Sequence, residues 1–180
     1  MGERITTPKF RASFPNVFMP KAFAEGQDAK YSIVMLFDKG VDISELKKIA
    51  KAAAVEKWGD KIPKNLRTPF RDGDTEKEGI DGYENTIFIS ASSKMQPGIV
   101  DHKTNPILDQ GEFYGGCYAR ATLTAFAYDV AGNKGVSFGL QNVQKLNDGE
   151  PFSGRMKAED DFSPIETEES TAEDTEGDLF

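Results

Sequence analysis

The amino-acid sequence predicts a mainly β protein: a small β-barrel with one main α-helix, followed by a disordered acidic C-terminal tail. Three observations support this prediction. Five segments are apolar at alternate positions or throughout, as β-strands are. One segment carries apolar residues at helical spacing. The last 23 residues contain ten acids and no Lys or Arg.

The first three predicted strands are residues 10–14, 31–37 and 86–92. In the first, Phe10, Ala12 and Phe14 alternate with polar residues, which predicts a half-buried strand with the apolar residues facing the core. The second, YSIVMLF, is apolar on both faces, as a central strand is. The third places two isoleucines on one face and Phe88 among Thr and Ser on the other.

The last two strands, 118–129 and 136–140, are separated by the turn sequence AGNK and predict a hairpin. Ala119, Leu123 and the alanines between and beyond them form one face of the first strand. Its other face carries Tyr118, Arg120, Thr122, Thr124, Phe126 and Tyr128.

The helix is predicted over residues 41–59, where Ile43, Leu46 and Ile49 recur at helical spacing. Asp42 and Glu45 have the spacing of a capping box, and Gly59 is a typical helix stop. Two long Gly- and Asp-rich stretches, 71–85 and 92–116, are predicted loops, and loops of this length in a compact domain are usually functional or disordered. Five strands with one helix favour an OB-fold-like barrel over residues 1–154.

The net charge of −8 conceals an uneven distribution. Ten of the 30 acids lie in residues 158–180, so residues 1–157 hold 22 basic and 20 acidic side chains, a net of +2. A slightly basic body with an acidic tail is therefore predicted, and the tail, residues 155–180, is too polar and charged to fold.

Composition also bounds the chemistry. Cys117 is the only cysteine, so no internal disulfide can form, which suits a reducing compartment. His102 is the only histidine, which argues against a His-based metal site. No signal peptide or membrane-length apolar run is present, so we expect a cytoplasmic protein without membrane contact. No phosphate-binding loop is found, and no cofactor is predicted.

Catalysis and binding are the alternatives for function. Asp72, Asp74 and Asp101 could hold a divalent metal in a nuclease, although Asp-Gly runs such as RDGD are typical of turns. An acidic protein that mimics DNA is a third hypothesis. Binding of single-stranded DNA is favoured, because aromatic rings stack on unpaired bases whatever their identity, while Lys and Arg contact phosphates. The candidate stacking residues are Phe88, Tyr114, Tyr118, Phe126 and Tyr128, and the candidate phosphate contacts are Arg71, Lys94, Lys103 and Arg120.

The chain ends in EDTEGDLF. A flexible polyanion can occupy a cationic groove when no DNA is bound. Asp178, Leu179 and Phe180 at its end offer a partner protein one apolar anchor and a terminal carboxylate. We therefore predict a tail that binds replication or recombination proteins. Whether the protein forms homo-oligomers is left open.

The segments SFPNVFMP, YGGCYAR (114–120) and KGVSFGLQNVQ (134–144) resemble a family of tailed-phage single-stranded DNA-binding proteins, long known only as a domain of unknown function. The likeness covers residues 5–152. It implies an OB-fold that coats single strands, without catalysis, during phage replication or recombination. Several replication proteins of this class end in an acidic tail closed by phenylalanine, which EDTEGDLF resembles.

Overall fold

The structure is a computed structural model and describes residues 4–22, 24–152 and 162–165. The described chain is mainly β, with one main helix, as predicted. Its strands are β1 (Arg4–Thr6), β2 (Phe10–Lys21), β3 (Lys30–Asp38), β4 (Arg71–Asp72), β5 (Thr86–Ser93), β6 (Gly98–Val100), β7 (Tyr118–Val130) and β8 (Asn133–Asn147). Its helices are α1 (Ser44–Trp58), the one-turn α2 (Gly73–Glu76) and a 3₁₀ turn (Gln110–Glu112). None of the described helices is long and apolar enough to span a membrane.

Five strands close into a barrel in the order β7–β2–β3–β5–β8, and the antiparallel pairing of β8 with β7 completes the ring. Within this ring, neighbouring strands are antiparallel except β5 and β8, which are parallel. A five-stranded Greek-key barrel is the OB-fold arrangement, so the predicted fold class is confirmed. β1 extends the sheet beside β7, β4 pairs with β5, and β6 pairs with β8.

The barrel interior follows the alternation seen in the sequence. Ala119, Ala121, Leu123 and Ala125 of β7 are buried and Ala127 is partly buried. Val136, Phe138 and Leu140 of β8 are buried as well. Alanine side chains on one strand leave room for large rings from others, and the Phe10 and Phe37 rings pack edge to face at 5.6 Å. Cys117 is fully buried in this core, and burial raises the pKa of its thiol, as suits an unreactive core cysteine.

Helix α1 covers the same core with Leu46, Ile49 and Ala50 and lies against β7 and β8. Its predicted C-terminus is confirmed, because Gly59 has φ +59° and its N–H donates to the carbonyl of Val55. The predicted capping box is wrong. The Asp42 carboxylate accepts from the Ser44 N–H at 2.9 Å, but the N-cap position is Ile43, which has no side-chain acceptor.

Strand β2 departs from the predicted pattern in its middle. Phe14, predicted to face the core, is 67% exposed, whereas Ser13, predicted to face outward, is buried. The register between β2 and β3 shifts between Ser13 and Asn16. Pro15 lies in this interval and lacks the N–H that a ladder needs, so a bulge forms there and Phe14 adopts φ +45°. The bulge turns the Phe14 ring out of the core.

The two stretches predicted as loops contain short regular elements. Residues 71–85 include β4 and α2, and residues 92–116 include β6 and the 3₁₀ turn. The predicted boundary at residue 154 and nearly all of the predicted tail lie outside the described residues. Of that tail, only residues 162–165 are described, and their Phe162 and Ile165 side chains are exposed.

Residues 148–152 follow β8 and form a short segment, here called the strap, that is fastened across the barrel surface. The Tyr114 hydroxyl donates to the Asp148 carboxylate at 2.9 Å, and the Arg11 guanidinium donates to the Glu150 carbonyl at 2.6 Å. The Phe152 N–H donates to the Gly115 carbonyl, and its ring lies 4.0 Å from the Arg11 guanidinium. These contacts hold the strap against the YGGC segment.

Gly116 of that segment is required for the strap to pass. Its φ is +116°, and a Cβ at this position would lie 2.1 Å from the Glu150 carbonyl oxygen. Backbone atoms cannot move aside as a flexible side chain can. The glycine therefore serves both the local conformation and the close approach of two chain segments.

We expect Gly116→Ala to lower the free energy of unfolding by ~2 kcal/mol or more, because it adds both backbone strain and a clash. Urea denaturation followed by circular dichroism measures the change. Gly40→Ala is the matched control, since nothing lies within 4 Å of a Cβ there and its φ is ordinary. Equal stability of the two variants would contradict the role assigned to Gly116.

Candidate nucleic-acid interface

The outer side of the β7–β8 hairpin is open, as predicted. Every member of the predicted outer face, from Tyr118 to Tyr128 at alternate positions, is at least partly accessible, and Phe126 is 46% exposed. The Arg120 guanidinium donates to the Gln144 side chain across the hairpin at 2.7 Å, and Arg4 of β1 donates to the Thr122 hydroxyl. This surface, called the hairpin face, combines two arginines with an exposed ring.

Lys103 belongs to the same side of the molecule. The Gln144 amide donates to the backbone carbonyls of Asp101 and His102 at 3.2 and 3.4 Å, which ties the loop carrying Lys103 to the hairpin. A cavity of about 320 Å³ opens between them. It is lined by polar groups that include Arg120, Thr104 and Asn142. The structure therefore brings the loop of Lys103 beside Arg120, whereas Phe126 and Tyr128 lie farther along β7, toward the turn of the hairpin.

Phe88 is not part of an open face, so the prediction that it is exposed is wrong. Its ring is 3% exposed and packs edge to face on Tyr83 at 5.4 Å, with Leu36 beside them. Residues 73–85 fold over this part of β5 and supply the cover. Arg71, predicted to contact phosphate, lies 5.1 Å from the Phe88 ring and forms a salt bridge to Glu76 at 2.7 Å. Alternation along a strand predicts which side a residue faces but not what covers that side.

Tyr114 and Tyr118 are half-buried beside the strap. The Tyr114 hydroxyl is held by Asp148 and the Gly149 carbonyl, and burial raises its pKa. Lys145 lies 5.3 Å from the centre of its ring. The Tyr118 ring faces Lys9 at 5.3 Å and lines a cavity of about 460 Å³ that also includes acidic side chains. Tyr114 therefore fastens the strap.

A second surface, the groove face, lies on the outer side of β2, β3 and β5. Its Ser90, Lys30 and Lys94 are exposed, Asn16, Val34 and Ser92 are partly accessible, and Ser32 is buried. Paired strands place Asn16 beside Ser32 and Ser32 beside Ser92, with Val34 and Ser90 forming the next row. Lys30 and Lys94 stand at its end, where they line a cavity of about 570 Å³ with the loop between β2 and β3. The Lys94 ammonium is 3.8 Å from Asp28, and both side chains are mostly exposed, so this pair is weak.

Sequence reasoning identified Lys94 but missed the rest of the groove face. The segment YSIVMLF was interpreted as apolar on both sides, although Ser32 and Val34 are neighbours of polar residues across the sheet. Small polar side chains at alternate positions of two paired strands were the available signal. Recognising them requires knowing which strands pair.

The acids proposed as metal ligands are engaged in turns and ion pairs. Lys39 Nζ lies 3.0 Å from Asp72 and 2.5 Å from Asp74. Asp72 accepts from the Asp74 N–H at the start of α2, and Asp74 accepts from the Asn85 N–H. Asp101 accepts from two backbone N–H groups of its own turn. Within the described part of the chain, no group of three His, Cys, Asp or Glu side chains could hold a metal ion.

These contacts shift the pKa values of Asp72 and Asp74. The ammonium of Lys39 and the Asp74 N–H lower the pKa of Asp72, while the Asn85 N–H and then Lys39 lower that of Asp74. A carboxyl whose pKa is lower in the folded state than in the unfolded chain stabilises the fold above its unfolded value of about 3.9. That contribution disappears as the pH falls through the folded-state pKa.

We therefore expect part of the acid sensitivity of the fold to come from Asp72 and Asp74. The Asp72→Asn/Asp74→Asn double variant should lose less unfolding free energy than the wild type between pH 5 and pH 2. Urea denaturation at a series of pH values measures both profiles. A variant whose profile parallels that of the wild type over this range would contradict the assignment. At neutral pH Asp72 and Asp74 are both ionised, so we expect no change of stability from them near pH 7.

Comparison with known proteins agrees with the fold. Residues 3–176 match the family model described as "Enterobacter phage Enc34, ssDNA-binding protein". "Putative protein p50" of Acyrthosiphon pisum secondary endosymbiont phage 1 is 37% identical over 186 residues, which cover 94% of this chain and 99% of that protein.

Two solved structures are similar in fold. The "Single-stranded DNA-binding protein from bacteriophage Enc34 in complex with ssDNA" superposes with a TM-score of 0.76 and 22% identity, over 83% of this chain and 89% of that one. Gp2.5, "a Single-Stranded DNA Binding Protein Encoded by Bacteriophage T7", gives a TM-score of 0.59 and 15% identity, over 86% and 97%. With the family model spanning nearly its whole length, the chain belongs to the Enterobacter phage Enc34 ssDNA-binding protein family.

Proposed function

We propose that the protein binds single-stranded DNA with little sequence preference and coats it during phage DNA replication or recombination, in the host cytoplasm. Membership of the family over residues 3–176 is the observation that carries this proposal. The barrel adds two accessible faces that combine cations with polar or aromatic side chains. A coating protein needs no reacting group, and the acids considered for catalysis are engaged in turns and ion pairs.

OB-folds bind oligonucleotides on the face of their second and third strands. Those strands are β3 and β5 here, so the groove face is the first site we assign. Its accessible serines, Ser90 and Ser92, are small enough for a strand to lie over them. Lys30 and Lys94 can pair with phosphates and release counterions. The hairpin face, with Arg120, is the second site and can contact a longer strand.

Matched double variants distinguish the two faces. Lys30→Ala/Lys94→Ala should weaken binding of a labelled oligo-dT and flatten the log–log salt dependence by up to ~1.4, since each phosphate contact to a single strand contributes ~0.7. Arg120→Ala/Lys103→Ala is the equivalent change on the hairpin face. Lys51→Ala, on the exposed side of α1, is the control. Fluorescence anisotropy at several salt concentrations measures all four proteins.

If the slope of the salt dependence changes more in the Arg120/Lys103 variant than in the Lys30/Lys94 variant, the hairpin face is the main interface. Absence of oligo-dT binding at low salt, in both the full chain and residues 1–157, would refute the proposed function itself. Retention of both affinity and slope by all variants would show that neither face contacts phosphate.

We further propose that the acidic end of the chain competes with DNA and recruits replication or recombination proteins through Asp178, Leu179 and Phe180. The uneven charge supports the first role, because ten acids on one segment resemble a phosphate backbone. An apolar pair, Leu179 and Phe180, next to the acidic residues supports the second, since one buried ring can anchor a short peptide.

Deleting residues 158–180 should tighten oligo-dT binding, because a competing polyanion is removed and the net charge of the rest is +2. Phe180→Ala should leave DNA affinity unchanged and abolish capture of replication proteins from infected-cell extract by the full chain. Weaker DNA binding after the deletion would contradict competition. Loss of all DNA-related activity would favour the DNA-mimic hypothesis instead.

A further inference from the structure

Phe14 combines three features that a merely structural residue does not need. Its ring is 67% exposed, although it lies in the middle of a barrel strand. Its φ is +45°, a conformation that is rare for a bulky side chain and costs free energy. Its ring borders a cavity of about 670 Å³ whose lining is mostly apolar. Strain that presents an apolar ring to solvent is a common mark of a binding position.

The walls of the cavity come from two segments of the chain that are held by hydrogen bonds. One wall is the strap, with Pro151 and Phe152, and another is Tyr83 and Ile80 of the segment that covers β5. The strap is fastened by Tyr114, Arg11 and Gly115, as described above. The Tyr83 hydroxyl is hydrogen-bonded to Ser13 at 2.8 Å in the buried interior. These hydrogen bonds hold two walls of the cavity in place.

The cavity lies beside the groove face, because Val34 of that face packs against the cluster of Leu36, Tyr83 and Phe88, and Tyr83 also lines the cavity. The Asn16 amide donates to the carbonyl of Phe14 at 3.3 Å and to the Ser32 hydroxyl at 3.4 Å. Asn16 therefore joins the bulge that carries the ring to the groove face, on which we place the strand.

We propose that Phe14 is a base-stacking residue, and that the cavity beside it receives one unpaired nucleobase from the strand on the groove face. This inference rests on the proposed function. A nucleobase fits the site better than a phosphate does, because the lining is apolar and Asp81 at its edge is negatively charged. Stacking does not depend on base identity, which agrees with a sequence-tolerant binder.

Substitution separates stacking from folding. Phe14→Gly removes the ring and suits φ +45°, so it should melt at or above the wild-type temperature. The same variant should bind oligo-dT about fivefold to a hundredfold more weakly, with an unchanged salt slope. Phe14→Trp should keep affinity within about threefold, whereas Phe14→Leu should not, because it preserves apolar area without a π-face. Leu108→Gly, which removes another exposed apolar side chain, is the control.

A direct signal comes from Phe14→Trp combined with Trp58→Phe, which leaves one tryptophan at the proposed site. Stacking should quench its emission when oligo-dT is added. Normal DNA binding without quenching, or a Phe14→Gly protein with wild-type affinity, would overturn the inference while leaving the proposed function intact. Quenching by the peptide EDTEGDLF but not by oligo-dT would assign the cavity to the tail and also overturn it.

Discussion

Closure of the barrel by the pairing of β7 with β8 is the constraint on which the remaining structure depends. β8 lies antiparallel to β7 and parallel to β5, so one strand joins the two ends of the sheet. Closure pairs the backbone groups of the barrel strands and removes the edges of an open sheet. It also divides every barrel strand into an inner side, which forms the core, and an outer side that is free for other uses.

The outer side is itself divided, because apolar residues on it need cover. Phe88 and Leu36 are sealed by Tyr83 from one direction and approached by Phe152 from another. The strap depends on glycine at Gly116, where its backbone crosses the YGGC segment. The accessible parts of the described surface include the groove face, the hairpin face and the cavity beside Phe14. Local packing of a few rings thus decides which part of the barrel can meet DNA.

Charge follows a similar division of roles. The acids of the body that looked like metal ligands are neutralised by Lys39 and by backbone N–H groups, so they stabilise turns. Ten of the 30 acids lie beyond residue 157, where the sequence has no Lys or Arg. A total charge of −8 therefore says little about the surface that a nucleic acid would meet, because the body and the tail contribute with opposite sign.

The sequence by itself predicted the five barrel strands and the main helix, the inward side of β7 and β8, the end of α1 at Gly59 and the family, but not the short elements β1, β4, β6 and α2. Each predicted feature depends on contacts or patterns that are local along the chain, where periodicity and turn chemistry are reliable. Only the tertiary structure decided that Phe88 is buried, that Phe14 is exposed and that Lys30 and Lys94 share a face. Those outcomes depend on contacts between segments that are far apart in the sequence, and on Pro15, which interrupts the hydrogen-bond ladder of β2. The alternation of residues along a single strand predicts neither of these effects.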